Sequence, residues 1–162
     1  MSVRPALPHE LESVGALTAA AYVTPGGMAA DDPYVAVLRD AADRAAHAEV
    51  WVAADPDATL LGTVTWCPAG SSYRELAGPG EGEFRMLAVS PSARGRGVGE
   101  ALVRRCLARS VEAGHTRVVI STSPWMASAH RLYARLGFTE APELSWSPRP
   151  DLTLLAYVRP LP

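Results

Sequence analysis

Arg94-Gly95-Arg96-Gly97-Val98-Gly99 is the stretch whose residue types and spacing could do chemistry. Glycines at alternate positions let the main chain approach a ligand without Cβ clashes. Unpaired N–H groups and the dipole at a helix start then favour an anion, and Arg94 or Arg96 could add a charge-assisted bond to phosphate. The chemistry this suggests is the gripping of a diphosphate. Two such sites are excluded. All fifteen basic residues are arginine, so no lysine exists for a P-loop or for Schiff-base chemistry. A dinucleotide fingerprint starting at Gly95 would put its third glycine on Glu100, where the helix must pack closely.

The turn needs elements on both sides of it. Phe84–Val89 is a short apolar run with the composition of a buried strand, broken by Ser90-Pro91-Ser92 because proline has no N–H for a sheet. From Val98 to about Ala113, Val98, Leu102 and Cys106 share one helical face, with Val103, Leu107 and Val111 beside them, and Gly114 stands at the stop. Arg117–Ser121 is a second buried strand. Strand, turn, helix and strand make a βαβ unit whose strands are expected to be parallel.

Upstream, Ser2–Ala6 reads as a strand and Pro8 to about Tyr22 as a helix. Asp32-Pro33 looks like a cap and first position for one further helix running to about Ala45. Glu49–Ala54 and Thr59–Trp66 read as a hairpin closed by Asp55-Pro56-Asp57-Ala58. Cys67–Gly82 is rich in Pro, Gly and Ser, a long loop of the kind that is mobile or functional. Downstream come a helix over Pro124–Leu136 closed by Gly137, a strand beginning at Phe138–Glu140, and a last strand, Thr153–Val158. Pro142, Pro148 and Pro150 mark a stiff loop between those two strands.

At 162 residues and 48% hydrophobic the chain can bury one core, and a single domain over residues 1–162 is expected. A net charge of −2 argues against a nucleic-acid or anionic-membrane surface. Cys67 and Cys106 are far apart without CxxC or Cys/His spacing, so neither a metal site nor a disulfide framework is expected. With no apolar leader and no stretch of membrane-spanning length, the expected location is the cytoplasm.

Arg94-x-x-Gly97-x-Gly99 fits the pattern R/Q-x-x-G-x-G/A, and Leu132-Tyr133-x-x-Leu136-Gly137-Phe138 fits a second block. At these residues the sequence resembles the GNAT superfamily of acetyl-CoA-dependent N-acetyltransferases, and the order of elements agrees along nearly the whole chain. The resemblance implies an α/β fold, more strictly an α+β mixed sheet. That sheet is central and mostly antiparallel, with about six to seven strands, a splayed parallel pair and about four flanking helices. It implies an acyltransferase that moves the acetyl group of acetyl-CoA to a primary amine of a small molecule or peptide by direct attack in a ternary complex. A non-catalytic acyl-CoA-binding module and a transferase of longer acyl groups are the alternatives. The resemblance implies acetyl-CoA as the cofactor, and no metal is expected. A homodimer through the late strands is compatible with the family, and the last strand, if at an edge, would need cover.

By the same resemblance, Gly95, Gly97, Val98 and Gly99 with Arg94 and Arg96 would hold the diphosphate. Leu87 and Val89, with Ala88 between them, would meet the pantetheine arm through the main chain, beside a bulge that re-aims an N–H at the thioester carbonyl. Tyr133 would give a proton to the leaving thiolate, a reference phenol pKa near 10 standing against about 8.5 for a thiol. Glu83 is the expected base, directly or through a water, with Glu81 as its alternate. The family often has an asparagine where this chain has Met126, so Ser123 or Ser128 would supply that contact. The acceptor is expected among the 23–32, 67–82 and 143–151 loops, which hold Asp31, Asp32, Tyr73, Glu75 and Trp146, with Trp125 nearby.

Overall fold

In the computed structural model, which describes residues 1–162, the elements follow in this order. They are β1 (Ser2–Pro5), α1 (Leu11–Tyr22), α2 (Tyr34–Arg39), α3 (Ala41–His47), β2 (Glu49–Ala54) and β3 (Leu60–Trp66). Then come β4 (Glu81–Gly82), β5 (Phe84–Val89), α4 (Val98–Glu112), β6 (Arg117–Thr122), α5 (Ala127–Arg135), β7 (Thr139–Glu140), β8 (Trp146–Arg149) and β9 (Leu152–Pro160). The fold is mixed α/β and mostly antiparallel, as expected, with nine strands and five α-helices rather than six to seven and four.

β1, β2, β3 and β5 form an antiparallel sheet in that order. A second sheet runs β4-β6-β9-β7 and carries the one parallel pairing, Glu81 with Arg117 and Gly82 with Val118. β4 and β5 are one strand interrupted at Glu83. Its first part pairs with β6 and its second with β3, so the expected parallel partnership of Phe84–Val89 with Arg117–Ser121 is cut short. The two strands diverge there.

β5 is irregular within its own pairing to β3. Thr65 faces Arg85 and Thr63 faces Ala88, so β5 carries one residue more than β3 across that interval. Met86 takes up the extra length at φ +56°, a left-handed conformation that costs a side-chain-bearing residue about 1–3 kcal/mol. Alternation breaks with it. Phe84 packs toward α4, Arg85 and Met86 both turn to the face under α1 and α2, and Leu87 and Val89 return to the α4 side.

Three apolar clusters fill the interior. α4 and α5 bury Val98, Leu102, Leu132 and Tyr133 against Val64, Trp66 and Phe84. On the other face α1 and α3 cover Val50 and Val52, and Ala19, Met28 and Leu38 close over Cys67 and Met86.

Two local expectations are corrected. The helix expected from Pro33 to Ala45 is two helices, because the chain bends at Asp40 (ψ 68°), whose side chain then caps α3 through the Asp43 N–H. The stiff loop around Pro148 contains β8, which pairs with β9. β9 therefore lies between β6 on one side and β7 with β8 on the other, and is no open edge. No helix is long and apolar enough to cross a membrane.

Arg44 locks α1, α2 and α3 together. It is fully buried and donates to the Leu38 carbonyl (2.8 Å), the Val37 carbonyl (3.3 Å) and Thr18 Oγ1 (3.1 Å), satisfying the open end of α2. Arg44→Leu is expected to lower the unfolding free energy by about 2–3 kcal/mol, the scale of hydrogen bonds from a charged donor. Chemical denaturation measures this, and an unchanged midpoint would contradict the role.

Candidate active site

The anion end is built by φ angles. Gly95 and Gly97 both sit at φ +76°, which lets the chain reverse after β5 and enter α4 with Gly97 as its N-cap. The first helical bond is Ala101 N–H to the Gly97 carbonyl. The N–H groups of Gly95, Gly97, Val98, Gly99 and Glu100 therefore have no main-chain acceptor. Space above Gly95 and Gly97 is open. Arg94 is exposed and joins no ion pair, whereas Arg96 is held to Asp55 at 2.8 Å in the β2–β3 turn. The cradle thus offers a row of free donors with one uncommitted guanidinium beside it, and an anion is the ligand that fits.

The next segment is the free edge of β5. Ser90 N–H donates to the Leu61 carbonyl and Cys67 N–H to the Glu83 carbonyl, which fixes the strand's parity toward β3. Ala88, opposite Thr63, shares that orientation. Its main chain is spent on β3, which corrects its expected contact with a ligand. Leu87 and Val89 point their main chains the other way, to the edge that β6 has left unpaired.

Beyond the bulge opens a cavity of about 410 Å³. Tyr22, Met28, Asp32 and Tyr34 wall it from α1, α2 and the loop between them. Glu75, Arg85 and Met86 line it from β5 and the loop before it, Ser121–Ser123 from the end of β6, and Pro148, Arg149, Leu152 and Leu154 from β8 and β9. Across the mouth Arg149 bonds Asp32 at 2.7 Å, tying the β8–β9 hairpin to the α1–α2 loop. The volume suits a small molecule or the end of a peptide.

Glu83 is not on this cavity. Its carboxylate is fully buried and accepts the main-chain N–H groups of Glu75 (2.9 Å), Leu76 (3.2 Å) and Ala77 (3.2 Å). The expected base is instead the peg on which the 75–77 turn hangs. Glu81, its alternate, pairs with Arg117 and accepts from Gly78 N–H, outside the lining. The carboxylate that reaches the cavity is Glu75. Its Oε1 lies 2.8 Å from Arg85 Nε, and burial, with Glu83 behind it, pushes its carboxyl above the ordinary value while Arg85 opposes them.

Tyr133 is 5% exposed, its ring packed on Phe84, Phe138 and Tyr157 at centroid distances of 6.0, 5.7 and 6.1 Å. Burial pushes its phenol well above 10, so the proton stays on at neutral pH. Ser128 is exposed in the first turn of α5 and accepts a bond from Arg131 (3.0 Å). Ser123 is buried at the cavity wall, its carbonyl taken by His130 Nε2 (3.1 Å) and Met126 N–H (3.1 Å). Of the residues expected around the acceptor, Asp32 and Glu75 line the cavity; Asp31, Tyr73, Trp125 and Trp146 do not. Arg85, Tyr22 and Tyr34 line it without belonging to any motif. An arginine inside the apolar run Phe84–Val89 is the one sequence signal for the first.

The family model described as the acetyltransferase (GNAT) family matches residues 16–138. Among curated relatives, an uncharacterized N-acetyltransferase of Schizosaccharomyces pombe is 31% identical over 109 residues, 67% of this chain and 63% of that protein. The match to rat N-acetyltransferase 8 takes in 50% of its length, so the chain spans between half and two thirds of these relatives. Among solved structures, a GNAT-family acetyltransferase from Staphylococcus aureus superposes with TM-score 0.76 over 99% of both chains at 15% identity. An acetyltransferase from Salmonella typhimurium, determined with its cofactor acetyl-CoA, gives TM-score 0.69 over 100% of this chain and 94% of that one at 19% identity. At such identities the likeness is one of fold.

Proposed function

The chain belongs to the GNAT acetyltransferase family, and on that premise we propose that it moves the acetyl group of acetyl-CoA directly to a primary amine held in the Glu75–Arg85 cavity. One observation carries the reading. Free main-chain donors at Gly95 and Gly97–Glu100, an unpaired β5 edge at Leu87 and Val89, and the cavity follow one another along a single strand and its turn. A long thioester with a diphosphate at one end fits that series, and the acetyl-CoA held by the Salmonella typhimurium relative supports it.

Gly95, Gly97, Val98, Gly99 and Glu100 would donate to the diphosphate, with Arg94 adding charge. Leu87 and Val89 would pair with the amide-bearing arm as a neighbouring strand does. Acetyl-CoA supplies an activated acetyl group. The amine sheds one proton before attack and a second after it, the N–C bond forms as the C–S bond breaks, and the thiolate leaves with one proton. The other goes to solvent. Tyr133, kept protonated by burial, is the donor we assign to the thiolate. Glu83 serves this reaction through the loop it holds rather than by taking the proton itself.

Gly97→Val forces a branched side chain into φ +76° at the cradle and is expected to weaken acetyl-CoA binding by about ten-fold or more, read by calorimetry. Wild-type protein that folds but binds no acetyl-CoA would end the proposal. Tyr133→Phe should lower kcat by about ten- to a hundred-fold in a free-thiol assay over an amine panel while acetyl-CoA affinity holds. An unaltered kcat would remove Tyr133 from the chemistry.

A further inference from the structure

We propose that the Glu75 carboxylate, beside the Tyr22 and Tyr34 rings, is the subsite that binds the acceptor's ammonium group and accepts its proton. This rests on the acetyl-transfer reading of the same cavity.

The charges near Glu75 leave it as the group with something to offer. Arg85 is occupied on three sides: Nε on Glu75 Oε1 (2.8 Å), Nη1 on the Tyr73 carbonyl (2.9 Å) and Nη2 on the Tyr34 hydroxyl (2.6 Å). Each of its three nitrogens already has a partner within the chain. Arg149 at the rim is bonded to Asp32 and ion-paired with Asp151 (3.1 Å), and Arg44, behind Tyr22 and Tyr34, is held by main-chain carbonyls and Thr18. Glu75 Oε1 forms an ion pair with Arg85 and accepts a long bond from Ser121 Oγ (3.5 Å), whereas Oε2 receives no bond within the chain. Its position is also held from behind, because Glu83 takes the N–H of Glu75 itself. A carboxylate held from two sides on the wall of the cavity, only 19% exposed and with one oxygen unpartnered, is a receptor for a cation.

An ammonium there would meet Glu75 Oε2 and the faces of Tyr22 and Tyr34. The proton step balances: R–NH₃⁺ gives a proton to Oε2, leaving R–NH₂ with its lone pair free for the thioester carbon. The neutral carboxyl then returns that proton to solvent through the cavity mouth. The groups facing Glu75 are Arg85 on β5, Glu83 at the β4–β5 junction, Ser121 on β6, Tyr22 on α1, Tyr34 on α2 and Cys67 after β3. Both tyrosines and Cys67 are pushed upward by burial and stay neutral near pH 7, and Arg85 stays charged. Glu75, whose carboxyl burial raises above the ordinary value, is the group among them whose charge changes. Ammonium binding should therefore strengthen as pH rises through its value and fade below it.

The experiment titrates benzylamine, a primary ammonium on an apolar ring, into wild type, Glu75→Gln and Glu75→Asp, with and without CoA. Saturable binding to wild type is expected, weaker by about ten-fold or more in Glu75→Gln, with the pH dependence, a loss of binding at falling pH, gone. Glu75→Asp should keep that dependence, and benzyl alcohol should not distinguish wild type from Glu75→Gln. Equal benzylamine affinity in wild type and Glu75→Gln, or no saturable binding to wild type, overturns the subsite. Thermal melts identify a misfolded Glu75→Gln, in which case the pH dependence of Glu75→Asp decides. Acetyl-CoA affinity, measured in parallel, should be the same in wild type and Glu75→Gln. Its absence from wild type would strike the acetyl-transfer reading instead, with the benzylamine result still judging the subsite.

Discussion

One extra residue in β5 governs the rest of this structure. Regular antiparallel pairing with β3 would carry Phe84 and Met86 on the same face. Inserting a residue at Met86 turns Arg85 and Met86 together toward the cavity and shifts the parity of everything after it. Leu87 and Val89 then face an edge that no strand fills. The strain at Met86 (φ +56°) persists because the side chain is 4% exposed and packed among Cys67, Leu38 and Ala19. The parity of the free edge and the Arg85–Met86 wall of the cavity share that single cause.

Electrostatics around the cavity are layered in the same way. Glu83 is satisfied entirely by main-chain N–H groups, so its charge organises a turn. The turn presents Glu75 to Arg85, and Arg85 in turn braces Tyr34 of α2. Arg44 holds α2 to α1 and α3 from the opposite side. Buried ion pairs add little net stability on their own. Their effect here is positional, since each of these groups fixes the direction of a neighbour that lines the site.

Much of this is legible in the sequence because it rests on local chemistry. Gly95 and Gly97 announce the left-handed turn, Pro91 the end of β5, and Gly114 the end of α4. The family, too, is legible from Arg94–Gly99 and the Tyr133 block. What is not legible depends on tertiary partners. Asp40 breaks a helix whose apolar spacing continues across it. Pro148 sits inside β8, where periodicity gives no strand signal, because only pairing with β9 makes that segment extended. Glu83 and Glu75 are both glutamates near a strand start. Which one meets the cavity is decided by a loop closing on buried oxygen atoms, a contact with no mark in spacing or composition.

Residue-resolved amide hydrogen exchange with and without saturating acetyl-CoA tests the central relation between strand, turn and ligand most directly. The N–H groups of Leu87, Val89, Gly95 and Gly97–Glu100 are free of main-chain partners within the chain, and each is expected to slow on addition of acetyl-CoA while Ala88, already paired with β3, changes least. Saturation that leaves Leu87, Val89 and the glycine turn exchanging at their original rates would contradict the assignment of this edge and cradle to acetyl-CoA.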